Sequence, residues 1–276
     1  MPLPPLILIH GYPFDHTMWK PVIAALGNKT QVVAPDLPGF GDNPTANAEP
    51  SLDLMADDIE KLFELHHFTR AVVAGMSMGG YVALAFAERH KERLAGLGLI
   101  STQSKADTPE VQESRRFMIE KVRHEGTTPA VEAIIPKLFS SMNQNDAEMK
   151  RFPQQSAHNA GVEGICWALE AMARRPDRTA LLRTLPVPAA VIHGADDKII
   201  PAERARQMSA LIPDSKYVEF SGGHATPLEA PEAVANALVE LLQRSVQHSD
   251  NLQTLEARKR ASGEPGIIIA PSERGL

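Results

Sequence analysis

Ala71-Val72-Val73-Ala74, a short run of small and β-branched residues, leads straight into Gly75-Met76-Ser77-Met78-Gly79-Gly80 and then into Tyr81-Val82-Ala83-Leu84-Ala85. The first segment reads as a buried strand and the last as a helix whose opening turns are small. Between them lies Gly-x-Ser-x-Gly, where a strand must turn directly into a helix. A turn this tight puts its central serine at strained backbone angles, and glycines two residues to either side leave room for the chain to pass. Ser77 is thereby expected to stand exposed at the head of a sheet.

Outward from this turn the same grammar repeats. Apolar runs at Leu6 to His10, Gln31 to Pro35, Leu94 to Ile100 and Ala189 to His193, with a weaker one at Lys216 to Phe220, read as further strands. Met55, Ile59, Leu62 and Phe63 keep helical spacing between two of them, as do Val234, Leu238, Leu241 and Leu242 after the last. Strands that lack polar alternation and are separated by helices imply a parallel sheet buried on both faces. The fold class expected is α/β, a doubly wound, mostly parallel sheet.

The alternation stops between Gln103 and Leu185, where the sequence turns polar and helical and carries Met118, Met142, Met149 and Met172. Residues 103–185 are therefore expected to form a small helical cap over the carboxyl ends of the strands, where it would shape a substrate pocket. The core is assigned to residues 1–102 and 186–244. Residues 245–276 look like a C-terminal tail, whose Arg258, Lys259 and Arg260 read as a solvated face.

Composition narrows the class of partner. With 276 residues, 43 % hydrophobic and 22 % charged, the chain can bury a substantial core unaided. A net charge of −6 leaves no electrostatic footprint for nucleic acid. No apolar run approaches bilayer length, and the N-terminal residues lack the pattern of a secretion signal. The single cysteine, Cys166, has no partner for an internal bridge and reads as a small apolar side chain. A soluble, cytoplasmic protein with no metal and no cofactor is the expectation. Nothing in the sequence speaks for or against an oligomer.

A serine hydroxyl is a poor nucleophile without a base, so the turn at Ser77 calls for a histidine and an acid. The strand ending at His193 runs into Gly194-Ala195-Asp196-Asp197, and the one ending at Phe220 runs into Ser221-Gly222-Gly223-His224. Both loops lie at the carboxyl ends of strands. His224, freed by two glycines, is the expected base, with Asp196 and Asp197 both placed to orient it. His10 and His193 sit at strand ends before glycines and read as structural hydrogen-bonders, whereas His16 is placed to touch the pocket. The backbone N–H of Met78 at the helix start and that of Tyr12 in His10-Gly11-Tyr12-Pro13 are expected to form an oxyanion hole.

His10-Gly11, Asp36-Leu37-Pro38-Gly39-Phe40-Gly41, the turn at Ser77, His193-Gly194-Ala195-Asp196-Asp197-Lys198-Ile199-Ile200-Pro201 and Gly223-His224 together resemble the α/β-hydrolase fold superfamily over residues 6–243. HGYPFDHTMW and the compact cap look like its branch of 3-oxoadipate enol-lactonases, cofactor-free haloperoxidases or perhydrolases, and carboxylesterases. The resemblance implies that Asp197, three residues ahead of Ile200-Pro201, is the acid. It further implies a serine esterase or lactonase working through an acyl-enzyme with Ser77, His224 and Asp197. An enol-lactonase or carbon–carbon bond hydrolase of narrow range, and a ligand receptor that retains the triad, are the alternatives, with perhydrolase or haloperoxidase chemistry as a side activity. Arg115, Arg116, Arg174 and Arg175 of the cap are expected to be solvated or paired rather than to hold an acidic substrate. Relatives carry two further strands before the His10-Gly11 strand, so a shortened N-terminal sheet edge is expected here, with Ile267 to Ile269 a possible edge partner. Asn43 stands where relatives often have serine.

Overall fold

The computed structural model describes residues 2–262. Six strands, β1 (Leu6–Ile9), β2 (Val32–Val33), β3 (Ala71–Met76), β4 (Leu94–Ile100), β5 (Ala189–Gly194) and β6 (Ser215–Phe220), form one sheet in the order β2-β1-β3-β4-β5-β6. Every pairing is parallel. β1, β3, β4 and β5 are buried along their whole length, which is why their sequences show no polar alternation. The sheet order reverses between β1 and β3, so the β1 and β3 loops open side by side.

Successive side chains on a strand leave by opposite faces, and the core divides accordingly. Ile7, Ile9 and Val73 face a core built with α2 (Leu52–Leu65), α3 (Met78–Arg89) and α8 (Ala202–Leu211). Leu6, Leu8, Val72 and Ala74 face another, filled from α1 (Lys20–Leu26) and α10 (Pro231–Ser262). Met55, Ile59 and Phe63 of α2 and Val234, Leu238, Leu241 and Leu242 of α10 are all buried, as their spacing requires. Ser51 caps α2 by accepting from the Asp53 amide at 3.1 Å, one reason the helix begins there.

Between β4 and β5 the described chain is helical: α4 (Pro109–Glu125), α5 (Thr128–Leu138), α6 (Ala147–Ala173) and the short α7 (Thr179–Leu182). A non-helical Gly161, at φ 65°, kinks α6. Helices α4, α5 and α6 pack on one another and stand over the carboxyl ends of the strands, where their side chains share a cavity with Ser77 and His224. At the chain's end the final helix is longer than its apolar spacing reveals. α10 does not stop near Gln243 but continues to Ser262, because Leu241, Leu242 and Ser245 still pack on the sheet and nothing in the following sequence breaks the helix. The Ile267 to Ile269 run lies outside the described residues, as do the side chains of Arg258, Lys259 and Arg260. Among the described residues no helix is long and apolar enough to cross a membrane.

Candidate active site

Ser77 is the residue between β3 and α3, and its backbone sits at φ 53°, ψ −113°. For a residue with a Cβ this conformation costs about 1–3 kcal/mol, and it persists only where its surroundings fix it. Here they do. The Ser77 N–H donates to the Ile100 carbonyl at 2.9 Å, and the Ser77 carbonyl accepts from Thr102 Oγ1 at 2.8 Å and from the Gly80 amide at 2.9 Å. Close approach supplies the rest: a Cβ on Gly79 would come within 2.2 Å of the Ile9 carbonyl oxygen, so α3 can lie against β1 only because that position is glycine. Ser77 stands at the head of the sheet as expected but is only 9 % exposed, because the helices between β4 and β5 cover it.

The three residues drawn from separate strand ends meet. His224 Nε2 lies 2.9 Å from Ser77 Oγ, and His224 Nδ1 lies 2.8 Å from Asp197 Oδ2. A carboxylate can only accept, so Nδ1 carries the proton and Nε2 is left to accept from the serine hydroxyl. The second Asp197 oxygen accepts from the Ile199 amide at 2.8 Å and the Ile200 amide at 2.9 Å. Burial alone would push this carboxyl upward, but His224 and the two amides outweigh it and hold it below the usual carboxylate range. Asp196, adjacent in sequence, is exposed, and its amide donates to Gly222 O at 2.9 Å.

The other histidines fall into place around this set. Burial keeps His10 below its ordinary pKa; its Nε2 accepts from the Leu37 amide at 2.9 Å, so Nδ1 is the donor toward Gly11 O at 3.1 Å. His193, lowered likewise by burial, donates Nε2–H to the Ile200 carbonyl at 3.0 Å and so steadies the loop that carries Asp197. Both are structural hydrogen-bonders. His16 does not touch the cavity over Ser77; its ring and amide bind the Asp36 carboxylate at 2.9 and 2.8 Å. Asp36 lies too far along the chain for local spacing to reveal the pairing.

A cavity of about 260 Å³ opens over Ser77 and His224. Its walls are mostly apolar, with Met118, Ala130, Ile134, Leu169, Met172 and Ile199 prominent. Tyr12 and Tyr81 also line it, and the Tyr12 hydroxyl is buried without a partner among the described residues. The His10–Tyr12 loop rests on the nucleophile turn, since a Cβ on Gly11 would lie 3.3 Å from Ser77 Cβ. Neither the Tyr12 nor the Met78 amide donates to an acceptor among the described residues. A larger hollow of about 570 Å³ lies between the Thr45–Pro50 segment and α4 and α6, but none of Ser77, His224 and Asp197 borders it.

Of the arginines singled out from sequence, Arg116 pairs with Glu113, and Arg174 with Glu170 and Glu49. Arg115 and Arg175 share one carboxylate, Asp107, at 2.6 and 2.7 Å, and the Arg175 guanidinium also lies 4.1 Å from the centre of the Tyr81 ring. Asp15, His16 and Asp36 bring three potential metal-ligating atoms within 4.8 Å of one another. Their carboxylates are already occupied, Asp36 by His16 and Asp15 by Thr17 and Ser156. Sequence reasoning passed over Thr102, which fixes the Ser77 carbonyl, and Glu229, five residues beyond His224. Neither belongs to a spacing pattern.

Known proteins place this arrangement in context. A family model described as the alpha/beta hydrolase family matches residues 6–237. The Biotin biosynthesis bifunctional protein BioHC of Teredinibacter turnerae is 28 % identical over 268 residues covering 87 % of this chain, which spans 44 % of that protein's length. Among solved structures, a thermophilic esterase from Thermogutta terrifontis with malate bound is 39 % identical with a TM-score of 0.83, over 87 % of this chain and 90 % of that one. The enol-lactonase from Burkholderia xenovorans LB400 is 26 % identical with a TM-score of 0.80, over 87 % and 92 %.

Proposed function

The chain belongs to the alpha/beta hydrolase family, and from that premise we propose that it is a serine hydrolase cleaving small carboxylic esters or lactones through an acyl-enzyme. The observation that carries this reading is the continuous Ser77–His224–Asp197 hydrogen-bonded chain beneath a cavity. His224 Nε2 takes the Ser77 proton as Oγ attacks the carbonyl carbon, and Asp197 stabilises the imidazolium that forms. The amides of Tyr12 and Met78 serve as the oxyanion hole. Collapse of the tetrahedral intermediate transfers the proton from His224 to the departing alkoxide. Water, deprotonated by the same imidazole, then attacks the acyl-enzyme and releases Ser77. Residues 103–185 act as the cap that sets acyl size, over a core of residues 1–102 and 186–244. A lone cysteine supports the cytoplasm as its place of action.

One observation favours a narrower reading, a lactone or ester that carries an acidic group. Arg115 and Lys137 line the cavity, and among the described residues no carboxylate does. Among the described residues Arg115 shares its one carboxylate partner, Asp107, with Arg175, leaving that cluster with excess positive charge.

The test is hydrolysis of p-nitrophenyl acetate, butyrate and octanoate, and of monomethyl and dimethyl glutarate, by wild type, Ser77→Ala and Arg115→Gln. Ser77→Ala is expected to lose at least about 10³-fold in kcat. Unchanged turnover in that variant would remove the serine mechanism, and negligible turnover by folded wild type on every ester would favour a receptor. The narrower reading expects Arg115→Gln to raise KM for the monomethyl ester alone; an equal effect on both glutarates would refute it.

A further inference from the structure

Glu229 ends the short α9 (Thr226–Glu229) and is bound, among the described residues, to four donors, none of them a cation. One oxygen accepts from the Gly223 amide at 2.7 Å, and the other from Ser140 Oγ at 2.5 Å, the Ser140 amide at 3.0 Å and Asn143 Nδ2 at 2.8 Å. Gly223 immediately precedes His224. Ser140 and Asn143 belong to the segment that joins α5 to α6. On the other side of the histidine, the Ala225 amide donates to the Leu138 carbonyl at 2.8 Å. His224 is thus bracketed by two ties to the same segment of the cap.

Packing makes the ties stiff. Leu138, Phe139 and Ser140 are buried, the first two among Ala225 and Leu228 in the core on the α10 side of the sheet. A Cβ on Gly223 would come within 2.4 Å of the Ser140 amide nitrogen, so the two segments touch backbone to backbone. The bracket extends to the acid as well, since the Asp196 amide binds Gly222 O. At its other end, α5 contributes Ala130, Ala133, Ile134 and Lys137 to the cavity wall. One carboxylate therefore connects the wall that an acyl group would press on with the loop that holds the imidazole.

We propose that Glu229 is a positioning residue that fixes His224 against the α5–α6 segment, so that the distance from the imidazole to Ser77 is set by the cap. The inference rests on reading Ser77, His224 and Asp197 as the reacting groups. It explains why a carboxylate stands here: every group facing its two oxygens is a donor, and an amide would turn an NH₂ toward one of them, leaving an N–H of the bracket unpaired. A misplacement of about 1 Å between base and nucleophile costs roughly 10²-fold in rate, so a slackened bracket acts on turnover more than on binding.

The experiment compares wild type, Glu229→Gln, the double variant Ser140→Ala/Asn143→Ala and Ser77→Ala, with p-nitrophenyl butyrate as substrate. An exhaustive fluorophosphonate titration counts folded sites, and the low-field proton resonance of His224 Nδ1–H reports the imidazole directly. Glu229→Gln is expected to lose about 10- to 100-fold in kcat per titrated site with KM within threefold, and to shift or broaden that resonance. The double variant keeps the carboxylate and both backbone ties, so it is expected to lose less while moving the resonance the same way; it also serves if Glu229→Gln does not fold. Wild-type kcat per titrated site with an unmoved resonance, in whichever variants fold, overturns the proposal. Full activity in Ser77→Ala would instead overturn the reading beneath it, whatever Glu229 does.

Discussion

The Asp197 carboxylate uses both oxygens, one on the Ile199 and Ile200 amides and one on His224, whereas its neighbour Asp196 faces solvent. Replacing the first should therefore be costly and the second nearly silent. Asp197→Asn is expected to lower kcat by about 10³- to 10⁴-fold, because an amide in that place no longer favours the tautomer that accepts from Ser77. Asp196→Asn is expected to stay within about twofold, and kcat for a p-nitrophenyl ester at pH 7.5 measures both. At this scale the sequence was informative where chain order and strand ends constrained it. Ser77 and His224, which the structure brings within hydrogen-bond distance, were singled out by motif and chain order, but the choice of which adjacent aspartate meets the histidine needed either a family resemblance or coordinates. Asp107 and Glu229 were invisible because their partners are brought from distant segments: Arg175 is 68 residues from Asp107, and Ser140 is 89 from Glu229.

At the scale of elements, the turn from β3 to α3 depends on contacts in which a missing side chain is the essential feature. A methyl on Gly79 meets the Ile9 and His10 carbonyl oxygens at 2.2 and 2.5 Å, and backbone cannot give way as a flexible side chain can. Gly79→Ala is expected to destabilise the fold by about 3 kcal/mol or more, read as a lower urea midpoint. Gly222→Ala, whose added methyl makes only ordinary contact at 3.5 Å, should change the midpoint little. Strands were legible here because both faces are buried and the residues say so without ambiguity. The helices between β4 and β5 were legible only as a group. α4 is two-thirds charged or polar and α6 has a kink at Gly161, so neither gives a clean apolar stripe from which its bounds follow.

For the molecule as a whole, burial of neutral imidazoles sets the response to acid. His10 and His193 are both held below their ordinary pKa in the folded state. The unfolded chain takes up those protons near pH 6.5 and the folded chain refuses them, so stability is complete above that pH and falls below it. Asp197, lowered too, adds a contribution present above about pH 4 that disappears as the carboxyl protonates. The melting temperature is expected to decline from pH 7 to pH 5, before carboxylates titrate; a flat profile there would contradict neutral burial of the two rings. The alternation of strands and helices and its interruption between β4 and β5 were readable from the sequence, whereas the length of the final helix was not. Among the side chains described on the long final helix, Ser245 is the last that is fully buried, 246–249 are half-buried or exposed, and the helix itself runs on to Ser262. Residues 250–254 are exposed and have no neighbouring core to share their stability with, so their amide hydrogens should exchange as those of a free peptide helix do, while those around Leu241 exchange only when the whole protein opens.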